Sequence, residues 1–227
     1  MTQGKLKTFS VNSMRDLFEL PAKPSSERIA DGAFILRRFA LARVDELLLQ
    51  IESITAVARF RHLVTPGGLR MSVAMTNCGD LGWVSDRRGY RYERCDPLSG
   101  QPWPSMPDAF FSLAQSAAQA AGFTEFAPDA CLINCYVPGT RLSLHQDKDE
   151  RDIGAPIVSV SLGLPATFLF GGKSRKDKQL RVPLEHGDVV VWGGPARLNH
   201  HGVLPLKDGE HPLLGRKRQN LTLRRAS

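Results

Sequence analysis

The half of the chain after Ala130 limits the fold more than any other feature. It breaks into eight short segments, at 130–137, 141–147, 156–163, 167–170, 179–184, 188–193, 199–204 and 217–224. Turn residues separate them, among them Pro138-Gly139, Gly171-Gly172, Gly187 and Gly193-Gly194-Pro195. Short β-prone segments bounded in this way are strands, and strands at this spacing close into a sandwich or jelly roll. Val158-Ser-Val-Ser-Leu162 alternates with period two, so the uncharged stretch from Ile153 to Gly172 reads as part of a soluble sheet rather than a membrane span.

What precedes this block is mixed. Residues 1–30 are polar, with Pro21, Pro24 and a Ser-Ser pair, and are expected to form a loose arm. Ala33 to Phe39 is a predicted strand. From Leu41 to Arg59 the residues Val44, Leu47, Leu48, Ile51 and Ile54 recur at helical spacing. Met71 to Cys78 is expected to be extended. A second helix has Asp108 as its cap, Phe110, Leu113, Ala114 and Ala117 as its stripe and Gly122 at its C-cap. The expected architecture is mainly β with flanking helices, with residues 31–227 as one domain. The 42% hydrophobic content supplies a core for it.

Charge and cysteine usage narrow the setting. A formal charge of +7 favours anionic partners without identifying one. Cys78, Cys95, Cys131 and Cys135 show no metal spacing and read as reduced thiols. The N-terminus lacks an apolar signal core. A soluble, cytoplasmic monomer is the expectation.

Two stretches carry chemistry. In His145-Gln146-Asp147 an imidazole and a carboxylate stand two residues apart on a predicted strand, about 6–7 Å apart on one face. Such a pair can converge on a metal, and a second imidazole from a distant strand completes the two-His-one-carboxylate triad of non-haem Fe(II). A lone His-x-Asp is weak, and a second one stands at His186-Gly187-Asp188, where Gly-Asp is ordinary turn chemistry. Asn199-His200-His201-Gly202 offers the further imidazole. Its two histidines point to opposite faces, and period two leaves open which enters the barrel.

The last strand, Arg218-Gln-Asn220-Leu-Thr222-Leu-Arg224, puts its polar residues on one face and Leu221 and Leu223 on the other. Two inward guanidiniums need anions. Their Cα atoms lie about 20 Å apart, and side chains reaching inward leave a gap of roughly 7 Å, the length of a five-carbon dicarboxylate. A solvated basic strand accounts for the same pattern.

Two further stretches suggest a polymer. Asn77 to Pro104 is rich in Gly, Arg and aromatics, with Trp83, Tyr90, Tyr92 and Trp103. These rings can stack on bases, or simply pack over the core. Lys173 to Arg181 holds five cations and one anion in nine residues, which suits phosphates or a merely solvated loop.

Together these residues resemble the AlkB family of Fe(II)/2-oxoglutarate-dependent dealkylases. The resemblance runs from about Gly32 to Arg224. It includes Val64-Thr-Pro-Gly-Gly68, Met71-Ser-Val-Ala-Met-Thr-Asn-Cys78, Leu81-Gly-Trp83, Asp129-Ala-Cys-Leu-Ile-Asn134, Leu142-Ser-Leu-His-Gln-Asp-Lys-Asp-Glu150, Ala155 to Pro165, His186 to Gly194 and Arg218-x-Asn-x-Thr-x-Arg224.

The resemblance implies a double-stranded β-helix (jelly roll) at about 130–227 with a nucleotide-recognition lid at about 64–104. It implies iron on His145, Asp147 and His201, and 2-oxoglutarate on Asn134, Tyr136, Arg218, Asn220 and Arg224. Trp83, Tyr90, Asp149 and Arg175 fall at the base site. The implied activity is oxidative demethylation of bases such as N1-methyladenine and N3-methylcytosine in DNA, preferably single-stranded, using Fe(II), O2 and 2-oxoglutarate. The same chemistry on RNA or tRNA, a same-fold oxygenase acting on protein or a small molecule, and a binding module without chemistry are the competing readings. The intact histidines, aspartate and arginines argue against the last. Two departures from the family pattern stand out: His200 replaces an aromatic, and Leu223 replaces a Phe.

Overall fold

The computed structural model describes residues 25–227. Its centre is a seven-stranded sheet built from β1 (Ser25–Ala30), β2 (Ala33–Arg37), β3 (Ala74–Gly79), β6 (Ala130–Tyr136), β8 (Ile157–Gly163), β11 (Val189–Trp192) and β13 (Arg218–Arg224). These strands lie side by side in the order β1-β2-β11-β8-β13-β6-β3. A four-stranded sheet faces it, made of β7 (Leu142–His145), β9 (Ala166–Phe170), β10 (Leu180–Leu184) and β12 (His201–Val203) in the order β10-β9-β12-β7. Every neighbouring pair is antiparallel, which gives the jelly-roll architecture.

All eight segments read as strands after Ala130 are strands, seven with trimmed ends and the fourth lengthened by one residue to start at Ala166. The jelly roll is not confined to 130–227, however, because β1, β2 and β3 join its large sheet. Residues 25–30, expected in a loose arm, form the edge strand β1 paired along β2. The rest of that arm, residues 1–24, lies outside the described residues. Strand β7 stops at His145, so Asp147 sits just beyond it rather than within it.

Alternation sorts the large sheet into two faces. On β13, Leu221 and Leu223 join Val158, Val160, Leu162, Cys131, Ile133, Val189 and Val191 in an outer core. Helices α1 (Val44–Val57) and α2 (Asp108–Ala120) cover that face with Leu47, Ile51, Phe110 and Leu113. Each fully buried aliphatic or aromatic side chain of this kind contributes roughly 1.5–3 kcal/mol. Asp108 opens α2 without capping it: Pro107 occupies the N-cap in extended geometry and no side chain accepts there. The C-terminus is a Schellman motif. Gly122 takes φ +86, its N–H donates to the Gln119 carbonyl at 3.0 Å, and the Phe123 N–H donates to that of Ala118 at 2.9 Å.

The opposite face of the large sheet packs against the small one. Tyr136, Ile157, Phe168, Phe170, Leu184 and Trp192 form this inner core. The polar residues of β13 point inward among them, which leaves a lined interior between the sheets.

The stretch between Asn77 and Pro104 is not a plain loop. It contains the hairpin β4 (Gly82–Asp86) and β5 (Gly89–Glu93), paired Trp83 to Tyr92 and Ser85 to Tyr90. Trp103 is buried against Val84 and Ala58. A Cβ at Gly82 would lie 2.4 Å from the Trp103 indole, so this contact requires glycine.

Candidate iron and cosubstrate site

Strands β7 and β12 are adjacent, and their register sets His201 directly opposite His145. The ring centroids are 4.4 Å apart. Asp147 returns from the end of β7 to face both, with 3.6 Å from His145 Nε2 to Oδ1 and 3.6 Å from His201 Nε2 to Oδ2. One ligand atom from each of the three lies within 4.8 Å of the others. His200 is one residue before β12 and outside this group.

The two rings are oriented by backbone carbonyls. His145 Nδ1 lies 2.8 Å from the Ser143 oxygen, and His201 Nδ1 lies 3.1 Å from that of Asn199. A proton on each Nδ1 leaves both Nε2 lone pairs aimed at the common point. Burial, and the neighbouring His201, hold the His145 imidazolium down to about 4, so it stays a neutral ligand at neutral pH. Burial would raise the Asp147 carboxyl, but Arg224 and the two histidines outweigh it and hold it well below the usual carboxylate range. Two imidazole nitrogens and one carboxylate on one side of a point are the donor set of the facial triad, and the residues fit Fe(II).

Behind Asp147 is a buried ionic network. Arg224 donates to Asp147 Oδ2 through Nη2 at 2.8 Å and through Nε at 3.1 Å. The same Nε lies 3.3 Å from Glu150 Oε1. Arg197 reaches Glu150 Oε2 at 3.1 Å and donates to the Asp147 carbonyl at 2.6 Å. Glu150 and Arg197 are participants that sequence reasoning missed. Glu150 could have been suspected from its place in the acidic run after Asp147, whereas nothing near Arg197 marks it.

The two arginines of β13 are therefore not equivalent jaws. Arg224 is already committed to Asp147 and Glu150. Arg218 is 1% exposed, with Nη2 donating to Ser161 Oγ at 3.0 Å and its guanidinium 4.8 Å from the centre of the Tyr136 ring. Its Nε and Nη1 have no partner among the described residues. Burial lowers its affinity for its proton, with Tyr136 opposing. Two unpartnered nitrogens on a buried cation leave N–H donors that call for an anionic acceptor such as a carboxylate. Asn134 and Asn220 lie between the arginines, joined at 3.2 Å, with Asn134 Oδ1 also without a partner among the described residues. The chemistry of these residues fits a dicarboxylate such as 2-oxoglutarate.

The hairpin packs against the segment that follows Asp147. Trp83 and Tyr90 stack on each other, centroids 5.6 Å apart and planes 13° apart. The Trp83 Nε1–H donates to Asp149 Oδ2 at 2.9 Å, and the Tyr92 hydroxyl donates to Glu150 Oε1 at 2.6 Å. The structure thus brings Trp83, Tyr90 and Asp149 together. Arg175 stands apart from them, exposed on the 173–178 loop with no side-chain partner among the described residues.

These elements define a class. The family model described as the 2OG-Fe(II) oxygenase superfamily matches residues 32–224, and the chain belongs to that superfamily. It is 58% identical over 213 residues to the alpha-ketoglutarate-dependent dioxygenase AlkB of Escherichia coli (strain K12), which covers 94% of this chain and 98% of that protein. That places it in the AlkB family, as an Fe(II)/2-oxoglutarate-dependent dioxygenase. It is also 34% identical over 134 residues to the nucleic acid dioxygenase ALKBH1 of Mus musculus, spanning 57% of this chain and 34% of that one. The solved structure of OsALKBH1 superposes with a TM-score of 0.78 at 31% identity, covering 88% of this chain and all of that one. Among the described residues no helix is long and apolar enough to cross a membrane.

Proposed function

We propose that the protein removes N-alkyl groups from nucleic-acid bases, with DNA carrying N1-methyladenine or N3-methylcytosine as its substrate. The observation that carries this reading is the Trp83–Tyr90 stack anchored to the Asp149 carboxylate, two residues along the chain from Asp147 of the triad. Both lesions are cations. A carboxylate beside aromatic faces favours a cationic base over its neutral parent. Tyr90 is 46% exposed, which leaves its ring available to a base swung out of the strand. Flipping is least costly from single-stranded DNA, which makes that the preferred form.

Bound Fe(II), with 2-oxoglutarate and O2, supplies the oxidising power that hydroxylates an N-methyl group, so that formaldehyde, succinate and CO2 are released. The chain's part is to hold and orient. His145, Asp147 and His201 fix the metal on one side. Arg218 receives the distal carboxylate, Asn134, Tyr136 and Asn220 line its length, and Arg224 keeps Asp147 ionised and aimed. Arg175 reaches the nucleotide from the basic loop. The relatives named as AlkB and as a nucleic acid dioxygenase support the same substrate class. The protein acts as a cytoplasmic monomer in this reading.

The test is formaldehyde release from methylated DNA and RNA oligonucleotides in the presence of Fe(II) and 2-oxoglutarate. Release from the two cationic lesions in DNA is the expected result. Turnover of 2-oxoglutarate that no methylated oligonucleotide stimulates would defeat the proposal.

A further inference from the structure

Glu150 stands where three elements meet. Its side chain is almost fully buried, with one oxygen toward Arg197 at 3.1 Å and the other shared between the Tyr92 hydroxyl at 2.6 Å and Arg224 Nε at 3.3 Å. Arg224 in turn holds Asp147 Oδ2 at 2.8 Å. An unbroken chain of buried polar contacts thus runs from β5 of the hairpin to the anionic ligand of the metal triad.

A buried carboxylate this close to a cation site is costly unless its charge is used. Here it offsets two guanidiniums, Arg197 and Arg224, which would otherwise crowd the metal ion with positive charge. Tyr92 lies on the strand that also carries Tyr90, whose ring stacks on Trp83. Any shift of β5 that seats a base under the hairpin moves the Tyr92 hydroxyl, and with it the oxygen that Arg224 leans on.

We infer that Glu150 is a positioning residue that couples occupancy of the hairpin to the geometry of Asp147, through Tyr92 on one side and Arg224 on the other. The coupling rests on the proposal that nucleic acid binds beneath the hairpin. It makes two claims. Glu150 sets the intrinsic affinity of the triad for a divalent cation. Tyr92 transmits the state of the hairpin to it, and by thermodynamic linkage transmits the state of the metal back.

Co(II) is the probe, titrated into the metal-free full-length protein and followed by its visible absorbance, with no turnover needed. In the wild type, a saturating methylated single-stranded oligonucleotide raises Co(II) affinity by about fivefold or more, and Co(II) raises oligonucleotide affinity by the same factor. Tyr92→Phe removes one O–H while keeping the ring. It is expected to hold Co(II) alone and oligonucleotide alone within about threefold of wild type, yet bring the coupling factor close to one. Glu150→Gln is expected to lower Co(II) affinity by about 10–100-fold without any nucleic acid present.

A wild-type coupling factor in Tyr92→Phe would overturn the transmission, and so would a factor of one in the wild type. Unchanged Co(II) affinity in a folded Glu150→Gln protein would overturn the positioning role. A Glu150→Gln protein that fails to fold leaves the decision to Tyr92→Phe. If the wild type binds no oligonucleotide, the nucleic-acid reading falls and the coupling falls with it, while the Glu150→Gln measurement still decides the other claim.

Discussion

Replacing Arg218 with Met should leave the ligand-free protein at least as stable as the wild type and abolish its response to 2-oxoglutarate. The unpaired atoms of Arg218 set the balance. Nε and Nη1 of a guanidinium that is 1% exposed have no partner among the described residues, and each buried donor left without one costs roughly 1–3 kcal/mol. Against this stand one hydrogen bond to Ser161, worth about 1 kcal/mol, and the contact with the Tyr136 ring, worth about 1–2 kcal/mol when desolvated. The charge thus lies between about 1 kcal/mol favourable and about 4 kcal/mol unfavourable, and is unfavourable at the midpoint, until an anion arrives. Methionine fills much of the same volume without the donors. Each kcal/mol gained moves the melting temperature of a domain this size up by about 2–4 °C. With 2-oxoglutarate at a hundredfold its dissociation constant, the wild type gains about 2.7 kcal/mol, and the Met variant gains none of it. Arg218→Lys should fall between, binding 2-oxoglutarate about 10–100-fold more weakly because an ammonium cannot reproduce the fork. Thermal unfolding with Co(II) in the site, with and without 2-oxoglutarate, reads all three proteins. A ligand-free Met variant destabilised by more than about 1 kcal/mol, or one that keeps the wild-type shift with 2-oxoglutarate, would refute the carboxylate socket.

Three other outcomes follow from the same geometry. Asp147→Ala should lose divalent-metal binding and iron-dependent turnover together, because it removes the one anionic ligand. It should also cost about 3 kcal/mol of stability by leaving Arg224 to Glu150 alone, a loss that urea unfolding would detect. His201→Ala should lose metal, measured by elemental analysis of protein dialysed against Fe(II) without oxygen, whereas His200→Ala should keep it. The opposite pattern would contradict the register that sets His201 against His145. Neutralising Lys173, Lys176 and Lys178 together should flatten the salt dependence of oligonucleotide binding by about 0.7–0.9 log units for each phosphate the loop no longer neutralises. Turnover of a methylated mononucleotide should be nearly unchanged in that variant, and an unaltered salt slope would make the loop a solvated surface.

How much of this could be read in the residues varies with the kind of interaction. Strand β13 was legible in its alternation: Leu221 and Leu223 pointed to an apolar layer, while Arg218 and Arg224 left an ionic interior and a solvated face open until the family resemblance was counted. Strand β1 was not, because Ser25-Ser-Glu-Arg28 is an exposed edge held by backbone pairing, which leaves no apolar period to detect. The start of α2 was misplaced by one residue for a local reason, since the extended geometry of Pro107 already supplies the non-helical cap that Asp108 was expected to form. Within the site, His145 and Asp147 could be paired by spacing even though the strand ends between them, because the turn that follows still brings the carboxylate back toward β12.

The inequality of the two arginines lay beyond any spacing rule. Distance along β13 treats them as equal arms, and only the arrival of the 147–150 segment and of Arg197 from its short 3-10 turn decides which one is spoken for. That asymmetry has a physical consequence. Arg224, with its anionic partners, keeps the metal ligand ionised before any cosubstrate binds, while Arg218 has no anion beside it and leaves Nε and Nη1 unsatisfied. The open donors of Arg218 are therefore the ones that a bound carboxylate is expected to satisfy, whereas Nε and Nη2 of Arg224 are already engaged by Asp147 before any cosubstrate arrives.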